Sequence, residues 1–336
     1  MSGTLRRLLL MPLLLLGIAA VTFGLSRATG VDPVLAIVGD RQMDDPEVLA
    51  AARVQWGLDR PVPVQFLRYV ANAAVGDFGT SFRTRRPVGA DLAERLPATL
   101  ELVLAATILG STIGAVLALL AASRPHGVLD GAIRLFAAAG VSLPVFLTGL
   151  LLLWIFATWL GWLPGPGRLD ARLPAPHAAT GLLLVDAALA GDGVVFRDAL
   201  RRLLLPAAAL GWGIAALVAR LVRAALLEDL ARLHITSARA RGIGGARLLI
   251  GHALPNAMVP AVTMISLSFA TLVAGAVLTE TVFAWPGVGA YALESARALD
   301  YPAIMAVTML GGVALAASGA VADAMQLWLD PRLRER

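Results

Sequence analysis

Cysteine and lysine are both absent from the chain, and each absence closes off some chemistry. Without cysteine there is no disulfide, no thiolate nucleophile and no Cys-ligated metal. Without lysine there is no P-loop, because Gly-x4-Gly-Lys-Ser/Thr needs the amine to reach the terminal phosphates of ATP. Histidine is scarce. His126, His177, His234 and His252 include no pair at the i, i+4 spacing of a helical zinc site. No Gly-x-Ser-x-Gly elbow occurs, and no Ser–His or paired-Asp constellation falls inside an apolar run, which argues against an enzyme. Charge is thin as well: 15% of residues, against about 25% in a soluble domain.

Apolar residues fill the gap. They make up 58% of the 336 residues, the mean hydropathy is +0.77, and they gather into long runs. A helix needs about 20 mostly apolar residues to cross about 30 Å of hydrocarbon. Six stretches qualify, at 8–26, 98–122, 133–160, 203–226, 257–280 and 303–328. The run Gly181 to Ala190 is too short to span and reads as a surface piece. The first run follows Arg6 and Arg7 as a signal peptide would, but Leu8 to Leu25 is long for one and no small-x-small cleavage site follows. It reads as an uncleaved helix. Gly110 with Gly114, and Gly311, Gly312, Ala316 and Gly319, let helices approach closely. The fold class is all-α, a polytopic bundle of six transmembrane helices. The chain divides into an N-terminal helix (1–26), an outward polar segment (27–97) and a five-helix core (98–330) that includes a loop at 223–256.

All 28 basic residues are arginine, and they flank apolar runs, so they report topology rather than nucleic-acid binding. With the N-terminus inside, thirteen lie inside and fifteen outside. Long loops translocate regardless of charge. Setting aside the nine in 27–97 leaves six outside, and both termini are then cytoplasmic. In 27–97, Asp45-Pro46-Glu47 signals a helix start ahead of Val48, Leu49, Ala52 and Trp56. Asp59-Arg60-Pro61 breaks it, a second helix runs from Val62 to Ala74, and Gly76-Asp77-Phe78-Gly79 is a turn. Glu101, Arg220, Glu280 and Asp323 fall near span ends, where snorkelling or interfacial water serves them. A proton or sodium relay through the midplane is poorly supported.

The loop at 223–256 is rich in helix formers up to Arg241. Gly242-Ile243-Gly244-Gly245 then interrupts, and Pro255 precedes the fifth span. Topology anchoring explains Arg223, Arg232, Arg239, Arg241 and Arg247, but not the length or the glycine break. A cytoplasmic projection that docks a soluble partner explains both.

Several stretches resemble the permeases of dipeptide, oligopeptide, glutathione and nickel importers. They are Gly57-Leu58-Asp59-Arg60-Pro61, Gly76-Asp77-Phe78-Gly79-Thr80-Ser81, Arg86-Pro87-Val88 and Arg95-Leu96-Pro97-Ala98-Thr99-Leu100-Glu101-Leu102. Ser142-Leu143-Pro144-Val145-Phe146 and Glu280-Thr281-Val282-Phe283-Ala284-Trp285-Pro286-Gly287-Val288-Gly289 complete the series. The family also resembles itself at a Glu-Ala-Ala-x3-Gly-x9-Ile-x-Leu-Pro pattern that docks on the ATPase. Ala238, Gly242, Leu254 and Pro255 fit that pattern; Thr236, Ser237 and His252 depart from it.

The resemblance implies an importer of the ATP-binding-cassette class in the bacterial inner membrane, with this chain as one permease. A second homologous permease, two ATP-binding subunits and a periplasmic substrate-binding protein would be its partners, in contact with membrane lipid and with no nucleic acid. This chain would bind no cofactor; ATP and Mg would sit in the ATPases. Thr236, Ser237, Ala238, Arg239, Arg241, Gly242, Leu254 and Pro255 would form the coupling site, with Ala238 packing into an ATPase groove. The substrate would be a peptide, a nickel chelate or glutathione. A secondary transporter or channel is the alternative; it would need midplane ionisable residues or paired broken helices.

Overall fold

A computed structural model of the chain describes residues 3–28, 46–55 and 59–329. Trp56, Gly57, Leu58, the last seven residues and the side chain of Asp323 lie outside the described set. Among the described residues every regular element is helical: α1 (Gly3–Ala28), α2 (Pro46–Gln55), α3 (Val62–Ala74), α4 (Val88–Ser123), α5 (Val128–Ser142), α6 (Val145–Leu152), α7 (Leu183–Leu189) and α8 (Gly193–Leu230). There follow α9 (Leu233–Ala240), α10 (Gly245–Leu248), α11 (Leu254–Gly275), α12 (Val277–Val282), α13 (Val288–Arg297) and α14 (Tyr301–Leu329). An antiparallel bridge between Thr80 and Pro87 is the one β-type pairing among them. Among the described residues five helices are long and apolar enough to cross a membrane, or six if one bent pair counts as a single span.

That bend corrects one expectation. The stretch 133–160 is not one straight helix: α5 and α6, the latter continuing as a π-helical stretch to Trp159, meet at 110°. Pro144 is the cause. A proline pushes the residue before it out of the helical region, and Leu143 sits at φ −80°, ψ 130°. The fifth span differs too. It starts back at Gly245 and runs to Val273. Pro255 does not precede it but lies inside it, in the first turn of α11, directly after a π turn over Leu249–Ala253. Proline lacks an N–H and crowds the preceding carbonyls, and the wider turn absorbs that defect.

The core forms where α4 crosses α8. An added Cβ on Gly114 would stand 2.7 Å from the Ala215 carbonyl, and Gly110 is as tight against Gly211. Ala106, Ala118 and Ala122 line the same face of α4. Small residues let the two backbones touch, so dispersion contacts replace the hydrophobic drive that lipid does not supply. Gly312 plays the same part where α14 meets Ile18 of α1. Outside the bundle, α3 lies against α1 and α14: Phe23 packs on Phe66 with ring centroids 5.5 Å apart, and the Tyr69 hydroxyl reaches Met309.

Candidate functional site

The long helix α8 ends at Leu230 because the chain turns through Ala231 and Arg232, whose backbone is extended (ψ 155°) before α9 begins. Helix α9 has two faces. Ile235 and Ala238, three apart, are buried among Leu226, Leu248, Ala253 and Ala257. Leu233, Thr236, Ser237 and Ala240, at i, i+3, i+4 and i+7, face outward, and Leu233 is 87% exposed. Such spacing puts each set on one side of a helix. Gly242 closes the helix at φ +84°, a left-handed position that suits glycine, and its N–H bonds the Arg239 carbonyl. Below the helix, the buried Asp229 faces His234 Nε2 at 3.2 Å, Asn256 Nδ2 at 3.3 Å and Arg232 at 3.6 Å.

The residues expected to couple therefore divide. Thr236, Ser237, Arg239, Arg241 and Gly242 are exposed on α9 and its turn, and Pro255 is exposed at the start of α11. Leu254 is half-buried against the α9 cluster. Ala238 is 2% exposed and contacts its own chain, so its small size serves the seating of α9 on α8 and α11. Leu233 was not singled out from the sequence; a lone large apolar residue amid Arg232, His234 and Arg239 is the signal that could have found it.

A second constellation explains the Glu280–Gly289 motif. Glu280 is fully buried. Thr99 Oγ1 donates to its Oε1 at 2.7 Å and the Ala290 N–H to its Oε2 at 2.8 Å. Ala290 lies in the first turn of α13, whose unpaired N–H groups favour an anion. Thr99 in turn accepts from the Val288 N–H at 2.8 Å, and Trp285 Nε1 donates to the Ala98 carbonyl at 2.8 Å. Gly289 has no room for a side chain, since a Cβ would meet Val277 Cα at 2.8 Å, and Gly287 is tighter still against the carboxylate. The motif is thus a knot tying α4 to the α12–α13 connection. Glu101 is tied in the same way: Arg168 donates through Nε and a terminal nitrogen at 2.9 and 2.7 Å, and the Leu184 N–H at 2.7 Å. Protein donors, not snorkelling or interfacial water, satisfy these two span-end carboxylates.

The architecture is an all-α polytopic bundle whose longest helix ends in a small projection with a distinct outward face. The profile of the binding-protein-dependent transport system inner membrane component matches residues 94–335, and that family's N-terminal region matches residues 2–103. The chain belongs to this family, the permeases of ATP-binding-cassette importers. It is 43% identical to the probable D,D-dipeptide transport system permease of Escherichia coli K12, over 96% of this chain and 94% of that protein. It is 38% identical to the di/tripeptide transport system permease of Pseudomonas aeruginosa, over 98% of each chain. The dipeptide transport system permease of E. coli K12 is 34% identical over 99% of this chain and 98% of that one.

Proposed function

We propose that this chain is a permease subunit that admits short peptides, forms half of their pathway and receives the force of ATP hydrolysis through α9. The observation that carries the reading is its end-to-end similarity to permeases named for dipeptide, D,D-dipeptide and di/tripeptide transport. A homologous permease would complete the pathway, two ATPases holding ATP and Mg would drive it, and a periplasmic binding protein would supply the peptide. Both termini would be cytoplasmic, as would the loop at 223–256.

The seating of α9 supports the coupling role. Ile235 and Ala238 share one apolar cluster with Leu226 near the end of α8 and Ala257 of α11. A push on the face formed by Leu233, Thr236 and Ser237 therefore reaches two membrane helices at once. Packed cores respond to such a load as bodies that shift between discrete arrangements. ATPase contact belongs to that face and to Arg239, Arg241 and the Gly242 turn, with Ala238, Leu254 and Pro255 holding the loop in place.

The test is a pull-down from mild-detergent extracts with a tag on this chain. An ATPase subunit is expected to co-purify with the native chain and to be lost with Ser237→Trp, at normal levels of inserted permease. Ala238→Trp is a poor substitute, because it would disrupt the loop from within. If Ser237→Trp retained the ATPase and supported peptide uptake, α9 would not be the docking element.

A further inference from the structure

Two arginines meet one carboxylate where α5 packs against α8, and a third, Arg220, lines the same groove. Arg223 grips Asp130 with two bonds of 2.6 and 2.7 Å, which consumes that carboxylate's charge. Arg134 stands off at 3.8 Å with its side chain 61% exposed, and Arg220 is exposed and makes no ion pair among the described residues. These side chains line the mouth of a groove of about 400 Å³ whose other walls include Ile133, Ala137, Val141 and Ala219. Apart from the arginines, Ser142 is the one polar residue lining it, and it carries an excess of two positive charges at the arginine end.

The depth of that mouth can be placed from the chain itself. Between Arg202 and Arg220, α8 carries seventeen residues with no charge. At 1.5 Å each they span about 26 Å, close to the thickness of a hydrocarbon core. At the Arg202 end, Arg201 donates to the Trp162 carbonyl at 2.7 Å, and Trp159 and Trp162 are both exposed, as aromatic rings at a membrane boundary are. Arg220, Arg223 and Arg134 then stand at the opposite boundary, level with the headgroups.

We propose that this groove binds an anionic phospholipid. Its phosphate lies between Arg134 and Arg220, and an acyl chain runs down Ile133, Ala137 and Val141. The charge calls for an anion, the apolar walls for a hydrocarbon tail on the same molecule, and the depth for a headgroup; basic pockets between membrane helices hold such lipids. An acidic side chain on a membrane helix of a partner permease would satisfy the same charge, and the experiment below separates that outcome from a lipid.

The full-length chain, delipidated in detergent, is offered palmitoyl-oleoyl phosphatidylglycerol or the zwitterionic phosphatidylcholine, and retained lipid is read by native mass spectrometry. Phosphatidylglycerol should be retained preferentially. Arg134→Gln and Arg220→Gln should each cut that retention on the order of fivefold, the scale of one surface arginine near anionic lipid. Together they should bring it to the phosphatidylcholine level, while Arg220→Lys should keep it. Equal retention of both lipids by the native chain overturns the proposal without any variant. So does a double variant that holds phosphatidylglycerol as before, and more pointedly one that does so while losing a co-purifying second permease, which would make the groove a subunit contact.

Discussion

Gly287 leaves no space for a methyl group because the Glu280 carboxylate occupies the volume a Cβ would take. Two consequences follow for single substitutions. Gly287→Ala must push the carboxylate off its donors, and Glu280→Gln must turn an amide NH2 toward the Thr99 hydroxyl or the Ala290 N–H. Leaving a buried donor unsatisfied costs about 1–3 kcal/mol, so either variant should lower the thermal midpoint of the detergent-solubilised chain. Thr99→Val should do likewise, since Thr99 both donates to Glu280 and accepts from Val288. An unchanged midpoint in all three would mean that the knot adds nothing to stability. Outside the spans, Asp186 gives a pH signature. Burial pushes its carboxyl up, but the N–H and hydroxyl of Thr180 and the Gly181 N–H outweigh that, and its pKa lies below the ordinary value. A depressed acid stabilises above its unfolded pKa, about 3.9, and loses that contribution as pH falls through the folded value. Hydrogen exchange at Thr180 and Gly181, corrected for intrinsic rates, should stay slow from pH 7 to about pH 5 and quicken below about pH 4. In Asp186→Asn it should already be quick at neutral pH.

Elements add what single residues cannot. The contact of α4 with α8 depends on two backbones touching at Gly110 and Gly114, whereas Gly131 of α5 has open space around it. Gly114→Leu should cost about 1–3 kcal/mol by overpacking, and Gly131→Ala should gain up to about 1 kcal/mol in helix propensity. Opposite shifts of the unfolding midpoint would separate packing from propensity; a loss in both would undo the distinction. Much of this architecture was legible in the sequence. Length and hydropathy mark the spans, and Pro46 and Pro61 mark where α2 and α3 begin. Pro144 was in view too, yet a proline inside an apolar run can kink a helix slightly or break it, and only packing decides; here it allows the 110° turn. The faces of α9 were out of reach for the same reason. Ala238 fits a docking groove and a self-packed seat equally well by composition, and the choice depends on Leu226 and Ala257, distant in sequence. Glu280 likewise gives no sign alone that its partners are Thr99 and Ala290.

For the molecule as a whole, the cysteine-free chain is suited to a direct test of orientation, because any thiol introduced into it is the only one present. Ala171 and Ser237 are both exposed. Ala171 neighbours Asp170, which Arg202 of α8 holds from the helix's early turns, and Ser237 lies beyond that helix's far end. At about 57 Å, the 38 residues of α8 are long enough to cross the hydrocarbon and emerge on both sides. If the arginine bias sets the topology, a membrane-impermeant maleimide applied to cells with a permeabilised outer membrane should label Ala171→Cys and spare Ser237→Cys. Ser237→Cys should react once the inner membrane is opened. Labelling of Ser237→Cys alone in intact cells would invert the topology and put α9 out of reach of a cytoplasmic ATPase. Labelling of both from one side would mean that α8 does not cross, and the boundaries drawn at Trp162 and Arg220 would fall with it.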